Sequence, residues 1–220
     1  MLRYFGQPKF LNVASPELIG YELLLREYRQ TRWQLPADFT GLSSATLARL
    51  LDQTLAALPA GVALVSVNLS QRQFTDRIFL RALTLVRTRC SVELYVELTE
   101  RDEQVAPSTL VQAAAAFAAA GVAVVVDDVG CGANQLALVT ALDPSVSEYK
   151  FALQNVRDVM APPAIAPLLA SWRQRATAAG KLFAVEGVES AADLTFVQRF
   201  APDVLQGYYF GRPRLMAIAP

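Results

Sequence analysis

The sequence predicts an α/β protein, a closed TIM-type (β/α)8 barrel, and three observations carry the prediction. Short β-branched runs alternate with helical segments along nearly the whole chain. The 220 residues hold about eight such runs, and the length is close to the roughly 250 residues typical of these barrels. No linker rich in Gly, Ser and Pro divides the chain, so a single domain over residues 1–220 is expected.

Taken in order, residues 2–13 and 18–25 flank Ala14-Ser15-Pro16-Glu17 and read as a hairpin, with an irregular first strand. A helix over 43–58 is capped by Ser43 or Ser44. A strand at 62–69 feeds a helix at 77–88, and a strand at 91–98 feeds an Ala-rich helix. From 104 to 126 no charged residue occurs, which superficially resembles a membrane span. Pro107 and Ser108 can open a helix, Gly121 can end it, and 122–126 is β-branched up to Asp127 and Asp128. A helix feeding a buried parallel strand explains the run better. A short helix near 134–142 and a strand at 145–151 follow. The last units are a helix at 163–179 ending on Gly180, a strand at 182–185, a helix at 191–200 and a short strand at 203–206.

Composition narrows the chemistry. Hydrophobic residues make up 53% and charged residues 18%, enough for a large core and against disorder. Lys+Arg and Asp+Glu each number 20, so there is no broad positive field for polymeric nucleic acid. The chain has no histidine, which excludes Ser-His-Asp triads, Cys-His dyads and His-ligated zinc. Carboxylates, Lys and Arg remain. Cys90 and Cys131 form no CxxC pair, and the first residues carry no secretory signal, so a cytoplasmic protein off the membrane is expected.

Polar side chains interrupt the apolar runs at their ends. Asn68, Glu97, Asp127 with Asp128, Lys150, Glu186 and Gln206 close six consecutive strands, and Glu22 sits in the second arm of the hairpin. In a (β/α) barrel these ends share the C-terminal face, where active sites are built. One strand-end acid alone reads as a helix cap; six in register do not. Carboxylates that converge repel one another and protonate unless cations balance them. Oxygen donors without His or a thiolate cluster favour Mg²⁺ or Mn²⁺, and the Asp127-Asp128 pair suits two ions sharing a bridging carboxylate. Lys150 either positions the attacking water and offsets charge or pairs with Asp127 or Glu97 to hold the barrel.

These blocks, in this order, resemble the EAL-domain family of cyclic di-GMP phosphodiesterases. The matching segments are Gly20-Tyr21-Glu22-Leu23-Leu24-Leu25-Arg26, Val67-Asn68-Leu69-Ser70, Val96-Glu97-Leu98-Thr99-Glu100, Val126-Asp127-Asp128-Val129-Gly130, Val185-Glu186-Gly187-Val188-Glu189 and the run from Leu205-Gln206-Gly207 to Pro213. The resemblance implies a modified TIM-type barrel with an antiparallel first strand, hydrolysing cyclic di-GMP to linear pGpG with Mg²⁺ or Mn²⁺. It implies that Glu22, Asn68, Glu97 and Asp127 hold one ion, and that Asp127, Asp128 and Glu186 serve the second and its water. Lys150, Glu186 and Glu22 are the implied catalytic groups. Gln7, Arg26 and Gln206 are the implied substrate contacts, with Arg26 on a phosphate. Glu100 is implied as the anchor of the loop after the aspartates, and a homodimer is expected.

The chain departs from the family at three places. Leu23 replaces the usual Ala, the loop reads Asp128-Val129-Gly130-Cys131-Gly132-Ala133-Asn134-Gln135, and Lys150-Phe151-Ala152 lacks an acidic residue. Two functions stay open on these grounds: an active phosphodiesterase, of full or reduced activity, or a catalytically weak or inactive cyclic di-GMP receptor or protein-interaction scaffold. A barrel enzyme of unrelated metal chemistry has only the fold behind it. With no sensory, receiver or cyclase module in these residues, regulation is expected through the domain's surface or a partner polypeptide.

Overall fold

A computed structural model describes residues 1–39 and 41–219; Thr40 and Pro220, both inside the expected domain, lie outside the described residues. Strand β1 (Leu2–Leu11) pairs antiparallel with β2 (Glu17–Arg29), and the short β3 (Arg32–Gln34) folds back on the end of β2. Helix α1 (Ser44–Leu55) leads to β4 (Leu64–Leu69), and α2 (Gln71–Thr75) with α3 (Arg77–Arg87) leads to β5 (Glu93–Leu98). Helix α4 (Pro107–Ala119) feeds β6 (Ala123–Val126), and α5 (Leu136–Leu142) with a short 3-10 turn feeds β7 (Glu148–Ala152). Then come α6 (Leu153–Arg157), α7 (Pro162–Ala179), β8 (Leu182–Glu186), α8 (Ala191–Gln198), β9 (Val204–Gln206) and the two-residue β10 (Arg214–Leu215).

Neighbours from β2 through β4, β5, β6, β7 and β8 to β9 pair in parallel, while β1 pairs antiparallel with both β2 and β9. That double pairing closes an eight-stranded ring, with β3 and β10 as short additions outside it. The first strand is antiparallel, as the resemblance implied, and its irregularity is a register shift between Lys9 and Phe10. At the β2–β4 seam a side chain on Gly20 would place its Cβ 2.0 Å from the Leu64 carbonyl oxygen, so only glycine lets the two strands approach there.

Side-chain alternation divides each strand between two layers. Val65, Val67 and Leu69, Leu94, Val96 and Leu98, Val124 and Val126, and Tyr149 and Phe151 point outward into one large core with Leu83, Phe117 and Leu169 from the helices. Burying one such side chain contributes about 1.5–3 kcal/mol. The intervening positions point into the ring. Leu64, Tyr95 and Val125 plug its lower end as a separate small cluster. Above that plug the interior turns polar.

The helices start and stop where local chemistry dictates. The Ser43 hydroxyl accepts from the Thr46 N–H and caps α1. Asp76 separates α3, the helix expected at 77–88, from the additional short α2, its carboxylate accepting from the Ile78 N–H. Pro107 opens α4, which is 13 residues long, and Gly180 ends α7 at φ 67°. Among the described residues no helix is long and apolar enough to cross a membrane.

Candidate active site

Interior positions of β1, β2, β5, β7 and β8 and the residue after β6 bring charge to one mouth, β4 and β9 add amides, and Lys150 stands at its centre. Its Nζ lies 2.6 Å from Glu97 Oε2, 3.1 Å from Asp127 Oδ1, 3.1 Å from Glu186 Oε2 and 3.3 Å from Glu22 Oε2. Four carboxylates widely separated in sequence therefore meet one ammonium group. Asn68 donates to Glu22 Oε1 at 2.6 Å, and Gln206 donates to Glu22 Oε2 at 2.6 Å. The Gln154 amide donates to Glu186 Oε1. Beneath Glu97, Lys9 donates to Oε1 at 2.7 Å and lies 3.6 Å from Glu148.

Glu97 is wholly buried between two lysines. Burial alone would raise its pKa, but Lys150 and Lys9 outweigh that and hold it well below the usual carboxylate range. Asp127 goes the other way: burial first, then the nearby Glu97 and Glu186, push it well above its ordinary value in spite of Lys150. Burial and Glu186 push Asp128 up to about 7. Burial likewise raises Glu148. Six interior carboxylates, Glu22, Glu97, Asp127, Asp128, Glu148 and Glu186, face two buried ammonium groups, Lys9 and Lys150. Fully ionised, the cluster carries an excess of four negative charges, which two divalent cations would match.

The donor set fits such ions. Every candidate ligand is a hard oxygen, and one Asp128 oxygen, Oδ1, is buried without a hydrogen-bond partner. Carboxylate oxygens of Glu100, Asp127 and Asp128 lie within 4.8 Å of one another. Asp127 thus belongs both to the Lys150 cluster and to this trio, the position a bridging carboxylate needs.

The loop after the aspartates is held by its backbone. Asp128 sits at φ 47° and Gly132 at φ 46°. A Cβ on Gly132 would lie 2.2 Å from the Glu100 carbonyl oxygen, which accepts the Ala133 N–H at 2.7 Å. Buried Asn134 donates to the Asp127 carbonyl at 2.6 Å and the Leu98 carbonyl at 3.1 Å, tying the ends of β5 and β6 together. Asn155 donates to Asp128 Oδ2 at 2.8 Å. Cys131, the unusual residue of this loop, is a free, half-buried thiol whose pKa burial raises.

Two cavities open at the mouth. One, of about 320 Å³, is lined by Gln7, Glu22, Asn68, Asp127, Lys150, Glu186 and Tyr208 among others. The second, of about 280 Å³, shares Leu24 and Asn68 with it and is lined by Arg26, Leu35, Phe39, Glu100 and Arg101. The structure therefore gathers Gln7, Glu22, Asn68, Asp127, Lys150 and Glu186 at one mouth, with Glu97 and Gln206 buried just below and Asp128 with Glu100 at its edge. Arg26 lines the neighbouring cavity, where its guanidinium donates to its neighbour's carbonyl, Leu25 O, at 2.9 Å. Sequence reasoning missed Lys9, Glu148, Gln154 and Asn134, and named Glu100 as the loop anchor without placing its carboxylate beside Asp127 and Asp128.

Comparison with known proteins gives one consistent match. The family model described as EAL domain matches residues 2–213. The chain is 30% identical over 156 residues, 68% of its length, to the cyclic di-GMP phosphodiesterase PdeR of Escherichia coli. It is 29% identical over 94% of its length to the bifunctional diguanylate cyclase/cyclic di-GMP phosphodiesterase MucR of Pseudomonas aeruginosa. These matches cover 23% and 32% of those two proteins, so the chain spans a third of their length or less. Among solved structures, the c-di-GMP complex of the PaMucR phosphodiesterase superposes with a TM-score of 0.81 at 26% identity, covering 97% of each chain. The EAL domain of FimX from Pseudomonas aeruginosa bound to c-di-GMP shares the fold, with a TM-score of 0.79 at 24% identity over 97% of this chain and 90% of that one.

Proposed function

This chain belongs to the EAL domain family, and from that premise we propose that it is a metal-dependent phosphodiesterase hydrolysing cyclic di-GMP to linear pGpG. The observation that carries the reading is the convergence of Glu22, Glu97, Asp127 and Glu186 on Lys150, four carboxylates against one ammonium group. Glu22, Asn68, Glu97 and Asp127 would hold one Mg²⁺ or Mn²⁺ ion, and Asp127, Asp128 and Glu186 the other, with Glu100 in reach of the second. When bound, such ions polarise the phosphoryl oxygens and lower the pKa of water.

The chain's own residues do the positioning. Arg26 and Gln7 line the paired cavities and orient the dinucleotide, the guanidinium suited to a phosphate. Gln206 and Asn68 fix the Glu22 carboxylate, and Gln154 fixes Glu186. Lys150, surrounded by carboxylates that raise its pKa against the effect of burial, stays an ammonium group. It orients the attacking water through a donated hydrogen bond and offsets the charge that develops on the phosphoryl oxygens. The walls of the ring exclude bulk water, which strengthens each of these interactions.

The altered loop is what kept a receptor or scaffold open as the alternative. Asn134 and the Glu100 carbonyl close that loop onto β5 and β6 despite its changed sequence, which favours turnover. The free thiols of Cys90 and Cys131 are in keeping with a reducing cytoplasm. The test is direct: purified protein with Mg²⁺ or Mn²⁺ converts cyclic di-GMP to pGpG, resolved by chromatography, and Glu22→Ala or Lys150→Ala loses most of that turnover. Tight binding of cyclic di-GMP with no product at saturating metal would overturn the enzyme assignment in favour of the receptor.

A further inference from the structure

Glu97 and Glu186 each have the oxygen that faces away from Lys150 committed to a second protein donor. Lys9 holds Glu97 Oε1 at 2.7 Å and Gln154 holds Glu186 Oε1, whereas Glu22 accepts on both oxygens, from Asn68 and from Gln206. Lys9 does this from β1, inside the ring, with its side chain 1% exposed. A carboxylate pinned in this way has only the oxygen that already faces Lys150 to share with a further partner. Divalent ions differ in how they use such donors: Ca²⁺ accepts two-oxygen carboxylates in loose shells of six to eight ligands, whereas Mg²⁺ demands a tight octahedron of single oxygens.

We infer that Lys9 and Gln154 are positioning residues that make Glu97 and Glu186 one-oxygen donors, and so set the site's preference for Mg²⁺ or Mn²⁺ over Ca²⁺. The inference rests on the metal-site reading proposed above. Lys9 has no path to the substrate, since Glu97 lies between it and Lys150. Its remaining neighbour, Glu148, is 3.6 Å away, so the pair can be neutralised together without changing the charge of the cluster.

The experiment is isothermal titration calorimetry of Mg²⁺, Mn²⁺ and Ca²⁺ into the metal-free full chain, without substrate. Wild type is compared with Lys9→Met/Glu148→Gln and with Gln154→Leu, a partly exposed position at the mouth that can be replaced with little strain on the fold. Partners that orient metal ligands typically change affinity about 10–100-fold when removed, so the Mg²⁺:Ca²⁺ affinity ratio should fall about tenfold in each variant. Circular dichroism confirms that the variants are folded. An unchanged ratio in folded variants overturns the inference, as does equal weakening of all three ions, which marks a merely structural role. Wild type that binds none of the ions refutes the metal site itself and the inference with it, an outcome distinct from the other two.

Discussion

Replacing Lys150 by Met tests the electrostatic reading of the mouth most sharply. The side chain keeps its length but loses the ammonium group that four carboxylates share at 2.6 to 3.3 Å. Removing one partner of a buried ion pair costs about 3–5 kcal/mol, because the charge left behind has no solvent. In a domain of this size each kcal/mol moves Tm by about 2–4 °C, so the metal-free variant should melt about 6–20 °C below wild type. Asp127, whose pKa burial already raises, can take up a proton in place of the lost ammonium, so the drop should be smaller at pH 5 than at pH 8. A divalent ion at about a hundredfold excess over its Kd returns about 2.7 kcal/mol and should recover about 5–11 °C, while phosphodiesterase activity stays low. The assay is a melting curve followed by circular dichroism at both pH values, with and without Mn²⁺. A variant as stable as wild type at pH 8 without metal, or one that Mn²⁺ fails to rescue, would show that Lys150 does not balance this charge.

Two further outcomes follow from the same site. Gly132→Ala would force a Cβ against the Glu100 carbonyl at 2.2 Å in a left-handed backbone, a conformation that costs a side chain of order 1–3 kcal/mol; it should lower Tm and weaken metal binding in calorimetry, and an unaffected variant would refute the close approach. Asp128 is raised to about 7 in the fold from an ordinary value of 3.8, so the folded metal-free chain holds this proton more tightly than the unfolded one. That stabilisation is present at low pH, declines as pH rises from about 4 toward 7 and is gone above it. Asp127 acts in the same direction. Metal binding, which needs both carboxylates ionised, should therefore tighten as pH rises, with protons released wherever Asp127 or Asp128 is still protonated. Potentiometric titration during metal addition checks it, and a pH-independent affinity between 5 and 8 would exclude it.

Much of this architecture is legible in the sequence because barrel strands face apolar surroundings along most of their length. Runs such as Val122 through Val126 and Leu182 through Val185 stand out for that reason, and the polar residue that ends each one marks the mouth. What escaped notice was inside the ring. Lys9 reads as an ordinary charge in a hairpin, yet Gln7 and Lys9 are two apart on one strand, as Glu148 and Lys150 are on another. Period-two pairing of an interior polar residue with a mouth residue was the signal available. Helix α6 and the two short strands β3 and β10 left no comparable trace, being five residues or fewer. The placement of the Glu100 carboxylate beside Asp127 and Asp128 depends on the fold of the loop, which spacing alone does not encode.

The link between Gln206 and Glu22 joins residues 184 positions apart. At a synthesis rate of about 5–20 residues per second, Glu22 leaves the ribosome roughly 10–40 s before the group that steadies it. Through that interval the nascent polypeptide has acidic side chains and no finished pore to shelter them, so competence arrives all at once, with the last strand of the ring. A product cut short before Val204 would be inert and prone to clump, whatever fraction of its helices had already formed.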